Sequence, residues 1–352
     1  MSAEQNKINI KVSTNYYNWP ILMQTPGSRG IWNQCVFFVD DEKRQYDWWV
    51  IIEGISRTES VLSRPQNTIL VTIEPSHIKK YHDRFLKQFN VIVTTQPQIT
   101  AEKIFHVQLV PWHIGAQFNP KNKKFEKFHT DYDTLKAGNV PTKSKLISVI
   151  SSQKNNTPGH RERLRFIEKL KKHFGDRLDV FEPNEEPLSD KWDAIAPYQY
   201  HIVLENGSTK DYWTEKLADV FLGQAYPIYY GCPNIHDYFS PDSLSCIDTS
   251  KPTQAIQIIE DAISKDLYST SQQQILTAKE KVLNHYQLIP RLADIISTLE
   301  KEKKNSDTTI VTIHPEILET ASFFEKQIGK YGLILKKYYP NIHATIKKLF
   351  NL

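Results

Sequence analysis

The residues best suited to chemistry fall in one stretch, residues 200–231, which reads YHIVLENGSTKDYWTEKLADVFLGQAYPIYYG. The apolar run HIVL reads as a strand, with Glu205 and Asn206 at its carboxyl end. Residues 207–210 then lead into a helix expected over 211–222, whose first turns carry Tyr212, Glu215 and Lys216. A helix start presents unpaired N–H groups and a partial positive charge, both of which favour anions. Lys216 adds a full charge suited to a pyrophosphate, and Glu215 can accept hydrogen bonds from the diol of a sugar. Residue types alone fit an exposed Glu–Lys pair on a surface helix more readily.

Glu74, in ILVTIEPSHI, follows an apolar strand directly and precedes Pro75. That places a carboxylate at a strand's carboxyl end, where it would face a crevice; the competing role is to satisfy the dipole of a following helix. Asp131-Tyr132-Asp133 has the D-x-D form of metal-dependent transferases but does not follow a strand, and short acidic patterns are common by chance. His77, His82, His113 and His160 lack the H-E-x-x-H spacing of a metal helix, so no metal ligand set is assigned. Trp112-His113 could line a sugar cleft, although a structural histidine is the commoner case. The chain has no P-loop, no G-x-G-x-x-G and no G-x-S-x-G, which argues against kinases, nicotinamide dehydrogenases and serine hydrolases.

These residues need strands to carry them. Residues 35–39 (CVFFV), 48–52 (WWVII), 69–73 (ILVTI) and 90–94 (NVIVT) are short β-rich runs, with a helix expected over 76–89. A basic, apolar-poor stretch over 119–145 reads as an exposed connection. The alternation then restarts. Residues 146–150 (LISVI) read as a strand and 158–174 as a helix with Thr157 as N-cap and Pro158 at its first position. Residues 201–204, 211–222 and 226–230 form a strand–helix–strand unit ending in YPIYY. From about Pro252 onward the chain reads as largely helical, with a break near 303–309. The lysine-rich segment 316–352 is expected to pack back on the body; contact with a partner or a membrane surface is the alternative. Strands alternating with helices imply parallel sheets covered on both faces. The expected architecture is α/β, with two Rossmann-like units (1–140 and 141–290) facing across a cleft and a helical segment over 291–352.

At 352 residues with 39% hydrophobic and 11% aromatic content, the chain can bury two cores and is not a disordered one. A net charge of +4 suits phosphorylated ligands but is too small for a nucleic-acid binder. Cys35, Cys232 and Cys246 form neither a disulfide framework nor a zinc site. No signal-peptide pattern and no run of about 18 apolar residues is present, so a cytoplasmic protein is expected.

The string ENGSTKDYWTEKL resembles the signature of the α-1,3/1,4-fucosyltransferases, in which a strand ending Phe-Glu-Asn-Ser leads to Asp-Tyr-(Val or Ile)-Thr-Glu-Lys. YPIYYG and FSPDSLSCID are similar to later stretches of that family, so order and spacing match over about 50 residues. Gly207 and Trp213 depart from the pattern, where serine and a β-branched residue are usual.

The resemblance implies a GT-B-like fold, GDP-fucose as donor and inversion at the anomeric carbon. It also implies no required cofactor or metal, and a glycan acceptor such as capsule or lipopolysaccharide. By the same resemblance Tyr212, Glu215 and Lys216 would hold the nucleotide sugar, with Asn206 beside them. SSQKNNTPGHRERLRFIEKL resembles the segment carrying a phosphate-binding arginine, which falls on Arg163 here; a solvated basic face is the competing reading. Glu74 matches the family's proposed general base. A bacterial-type enzyme without an anchor, at most peripheral at the inner face of the cell membrane, is implied. A different nucleotide sugar as donor, and a non-catalytic carbohydrate- or nucleotide-binding protein, are the alternatives.

Overall fold

The computed structural model describes residues 7–15, 19–41, 44–119, 124–138, 140–151, 158–181, 188, 190–302 and 307–316. The first unit runs β1 (Ile8–Thr14), β2 (Ile31–Trp32), β3 (Cys35–Val39), β4 (Trp48–Ile52), β5 (Glu59–Ser63), β6 (Thr68–Val71), helix α1 (Asp83–Leu86), β7 (Val91–Val93) and β8 (Lys103–Phe105). Seven of these strands form one sheet in the order β2-β3-β1-β4-β6-β7-β8, parallel except for the β2–β3 pair. All five residues of β4 are buried, because both faces are covered: Trp48, Val50 and Ile52 enter one core, Trp49 and Ile51 the other. β1 pairs with both β3 and β4 yet has a weak apolar signal, since Lys11 sits mid-strand at 1% exposure. Its Nζ is 3.0 Å from Glu59 Oε2, which also accepts from Ser13 Oγ at 2.8 Å.

The helix expected over 76–89 is corrected to the four-residue α1, capped by His82, whose ring nitrogen accepts from Arg84 N at 3.2 Å. The preceding residues make a turn, with Ile78 N and Lys79 N both donating to Pro75 O. They are drawn instead around the side chain of Glu53, described below.

The connection between units is also more structured than expected. It holds an antiparallel pair, β9 (Ala116–Asn119) and β10 (Lys124–Phe128), and helix α2 (Tyr132–Ala137). Asp131 caps α2 by accepting from Thr134 N at 2.8 Å, and Asp133 accepts from Gly27 N at 2.6 Å. Both carboxylates of the D-x-D pattern thus serve the backbone.

The second unit runs β11 (Lys145–Ile150), α3 (Pro158–Phe174), β12 (Leu178–Phe181), α4 (Lys191–Ile195), β13 (Tyr198–Leu204), α5 (Glu215–Leu222), β14 (Tyr226–Tyr230) and β15 (Ser245–Cys246). Its sheet has the order β12-β11-β13-β14-β15, parallel throughout. α3 spans the expected residues and buries Phe166, Ile167, Leu170 and Phe174, while Thr157 lies outside the described residues. The expected two α/β units are therefore present.

The chain then forms α6 (Pro252–Ser264), α7 (Leu267–Thr270), α8 (Gln272–Lys281), a π-helical turn (Val282–Tyr286) and α9 (Leu288–Lys301). α9 returns to the first unit: Leu288, Leu292, Ile296 and Leu299 pack with Ile10, Val50 and Ile69 of its sheet. A final strand, β16 (Thr309–Ile313), pairs antiparallel with β5, where helix was expected to resume after a break near 303–309; its β-branched run TIVTI favours the extended state. Residues 317–352 lie outside the described residues. Among the described residues no helix is long and apolar enough to cross a membrane.

The two crossings between units are tied together. Val110 N donates to Tyr286 O and Leu288 N to Val110 O, at 3.3 and 3.2 Å. Gln287 Nε2 donates to Gln24 O at 2.9 Å, and Gln24 Nε2 to Trp112 O at 2.9 Å.

One buried histidine makes stability depend on pH. His201, in β13, is 4% exposed and its Nδ1 lies 2.8 Å from Ser148 Oγ. Burial, with Lys191 and Lys143 nearby, pushes its pKa down to about 3. In the unfolded chain it titrates near about 6.5, so between these values the unfolded state holds the extra proton and stability falls as pH falls. The melting temperature is expected to drop between about pH 6.5 and 4, and to drop less in His201→Gln. Parallel melting curves for the two proteins across that window would contradict this.

Candidate active site

β13 ends at Leu204, and the next residue, Glu205, is 3% exposed. Its Oε1 accepts from Thr214 N at 2.7 Å and its Oε2 from Thr214 Oγ1 at 2.8 Å. This ties the strand end to the start of α5. Thr214 is the N-cap of α5, which begins at Glu215, four residues later than the sequence suggests. The reason is local: Asp211 has φ +62° and its Oδ1 accepts from Asn234 Nδ2 and Tyr238 OH, which turns the chain before the helix opens. Tyr212 therefore precedes α5. Its side chain is 1% exposed and hydrogen-bonded to Asn206. Burial, then the carboxylates of Glu205, Glu74 and Glu215, raise its hydroxyl pKa, so it stays a protonated donor.

At the head of α5 the charges interlock. Lys216 Nζ lies 3.4 Å from Glu205 Oε2, 3.7 Å from Glu215 Oε1 and 3.2 Å from Thr214 Oγ1, with 30% of the side chain exposed. Burial opposes its charge, but Glu215, Glu205 and Glu74 outweigh that and hold its pKa above the ordinary lysine value. Glu215 is the mirror case: burial favours its neutral form, yet Lys216 and Lys191 keep it ionised. Lys191, from the start of α4, reaches Asp219 Oδ2 at 2.8 Å and Glu215 Oε1 at 3.6 Å. Asp219 Oδ1 accepts from His113 N and Ile114 N at 2.8 and 3.1 Å, which fixes the connecting chain beside the cluster. Burial first, then Lys191, lower the His113 pKa, leaving a neutral ring facing Glu215 and Lys216.

The structure thus brings Asn206, Tyr212, Glu215 and Lys216 together, and Glu74, from the first unit, is near enough for its charge to act on Tyr212 and Lys216. Arg163 stands in the early turns of α3, beyond the end of β11, the strand next to β13. It is 9% exposed whereas Arg161 and Arg165 are exposed, and burial lowers its pKa. Sequence reading missed Lys191, Asp219 and Glu205 as site residues. Glu205 lies inside the quoted motif, but Lys191 and Asp219 had no local signal. Trp213, one of the two departures, is fully buried, with its ring 5.1 Å from Phe239 and 5.7 Å from both Tyr238 and Tyr286. At the other, a Cβ on Gly207 would stand 2.7 Å from His77 Cε1, whose ring also bonds Asn206 O at 3.2 Å.

Residues 140–266, which hold this second unit's sheet and α5, match the family described as glycosyltransferase family 10 (fucosyltransferase) C-term. The second unit is therefore similar to the C-terminal domain of that family. It is 30% identical over 94 residues to alpha-(1,3)-fucosyltransferase B of Drosophila melanogaster, covering 26% of this chain and 21% of that protein. A second relative, GDP-fucose protein O-fucosyltransferase 3 of Danio rerio, is 40% identical over 58 residues, 16% of this chain and 12% of that protein. The chain therefore spans about a fifth or less of the length of these curated relatives. A crystal structure of an alpha1,3-fucosyltransferase with GDP aligns over 82% of this chain and 94% of its own, at 14% identity and a TM-score of 0.47. Within the matched residues lie Arg163, Asn206, Tyr212, Glu215 and Lys216, while Glu74 falls outside them.

Proposed function

We propose that this chain is an inverting glycosyltransferase that moves fucose from GDP-fucose to a hydroxyl of an acceptor glycan. The observation that carries the reading is the head of α5, where Lys216 and Glu215 are locked in place by Glu205 and Lys191 and face Glu74 of the other unit. The names of these two relatives support fucose as the sugar and GDP as its carrier. In this reading Glu215 holds donor hydroxyls, Lys216 and Arg163 hold the diphosphate, and Tyr212 and Asn206 line the same side. Carboxylates outnumber lysines in the cluster, so Arg163 supplies the further cation a diphosphate needs. The acceptor oxygen forms its bond to the anomeric carbon as the carbon–phosphate oxygen bond breaks. The hydroxyl proton passes to Glu74 and the electron pair leaves with GDP. Lys216 and Arg163 stabilise that leaving charge, so the mechanism asks for no metal on the phosphates.

The donor is tested first by thermal shift with GDP, UDP and CMP, then by GDP release from GDP-fucose and other GDP-sugars. GDP is expected to give the largest shift, and GDP-fucose the fastest release. A larger shift with UDP or CMP would move the protein to another donor class. Glu74→Ala is expected to keep GDP affinity and to lower turnover by about 10² or more, the usual contribution of a general base. Normal turnover in that variant would remove Glu74 from the mechanism.

A further inference from the structure

The backbone that presents Glu74 is held by a second carboxylate. Glu53 directly follows β4, the strand beside β6, and is 5% exposed. Its Oε1 accepts from two successive backbone groups, Ile73 N and Glu74 N, the latter at 3.0 Å. Its Oε2 accepts from Lys79 Nζ at 3.1 Å, and the same ammonium donates to Glu53 O at 2.5 Å. Lys79 thus closes the segment 73–79 into a loop around one buried side chain. The carbonyl of the same residue is held independently: Gln96 Nε2 donates to Glu74 O at 2.8 Å and to Lys79 O at 3.0 Å. Glu53 has φ +63°, a conformation that costs a residue with a side chain, and Gly54 follows at φ +139°. Strain of this kind persists only where the surroundings over-determine it. Here the carboxylate is aimed back under β6 at the residue opposite Lys216.

We propose that Glu53 is a positioning residue for transfer: by binding the amides of Ile73 and Glu74 it sets where the Glu74 carboxylate stands relative to Lys216 and Tyr212. Lys79, bonded to both the carboxylate and the carbonyl of Glu53, holds it in that rotamer. The proposal rests on the reading of Glu74 as the base, since a displacement of about 1 Å can lower a rate by about 10². Gln96 leaves the carbonyl side anchored when Glu53 is lost, so the loop shifts instead of unfolding.

Two measurements test it separately. Hydrogen exchange of the full chain reads the geometry alone. The segment containing the Ile73 and Glu74 amides is expected to exchange at least tenfold faster in Glu53→Ala than in the wild type, and at an intermediate rate in Glu53→Gln, which keeps one acceptor oxygen. Unchanged exchange would overturn the proposal whatever Glu74 does. GDP release from GDP-fucose reads the consequence. Glu53→Ala is expected to lower kcat by at least tenfold with the GDP-fucose KM within threefold, and Glu53→Gln to recover most of the loss. On a Glu74→Ala background the Glu53→Ala penalty is expected to vanish. A penalty that persists there in full, or one that falls on KM, would overturn it. Should Glu53→Ala not fold, Glu53→Gln and Lys79→Met carry the same comparison at smaller amplitude. If Glu74→Ala itself turns over normally while the amides still exchange faster in Glu53→Ala, the base assignment fails and the positional claim stands.

Discussion

Lys216→Ala is expected to weaken GDP binding by about 10²–10³, the range for truncating one partner of a desolvated charged contact. The ammonium is the cation at the head of α5 nearest to open space, with 30% of its side chain exposed, and its two carboxylate partners already fix its direction. The same substitution is expected to destabilise the ligand-free protein. Glu205 is wholly buried and would keep only the two donors of Thr214. Breaking a buried pair typically costs about 3–5 kcal/mol, and the exposure of Lys216 reduces this to about 2 kcal/mol. Titration calorimetry with GDP and thermal melting read the two effects. Lys216→Arg keeps the charge but replaces a point donor with a planar fork, and should fall between. Lys210→Ala, exposed in the same loop, should change neither. GDP affinity within threefold of wild type in Lys216→Ala would take the diphosphate away from this helix.

The second large effect is on stability. Trp213 has no exposed surface and meets Tyr238, Phe239 and Tyr286 edge-on at 5.1 to 5.7 Å. Edge-to-face packing adds to the area each ring buries, so Trp213→Ala should cost about 3–5 kcal/mol through the cavity it leaves. Trp213→Val should still cost about 2–3 kcal/mol, because the three surrounding rings are shaped to an indole. Urea unfolding followed by circular dichroism measures both, and a loss under about 1 kcal/mol in either variant would show that the ring box can close on itself. Tyr212 and Thr214 flank the indole in sequence, so GDP affinity is expected to fall with Trp213→Ala as well.

Much of this was readable from one strand–helix–strand unit. HIVL and YPIYY signalled β13 and β14 through apolar, β-branched composition, and the order of Asn206, Tyr212, Glu215 and Lys216 placed them at one strand's carboxyl end. The start of α5 was not readable. A left-handed Asp211 and an inward Tyr212-Trp213 pair are tertiary choices, made by Asn234 and the aromatic box. β1 was hidden because Lys11 interrupts its apolar pattern, and only the distant Glu59 makes that lysine tolerable in a core. Glu74 was legible as a carboxylate after a strand, whereas Glu53 and Lys79, which shape its loop, act through a fold the local pattern does not encode. Lys191 and Asp219 belong to the same class. Their effect on Glu215 arises from through-space charge, which leaves no periodicity behind. Among three arginines in one helix turn, burial separates Arg163 from Arg161 and Arg165.

The return of α9 and β16 to the first unit also sets the order in which the polypeptide matures on the ribosome. The strands made earliest lack one covering layer until residues near 301 have been synthesised, and β5 lacks its neighbour until residue 313. The later sheet is contiguous from Lys145 to Cys246, so it can close first. The portion translated first is finished last, and during that interval the nascent chain carries an uncovered apolar face of the kind chaperones protect.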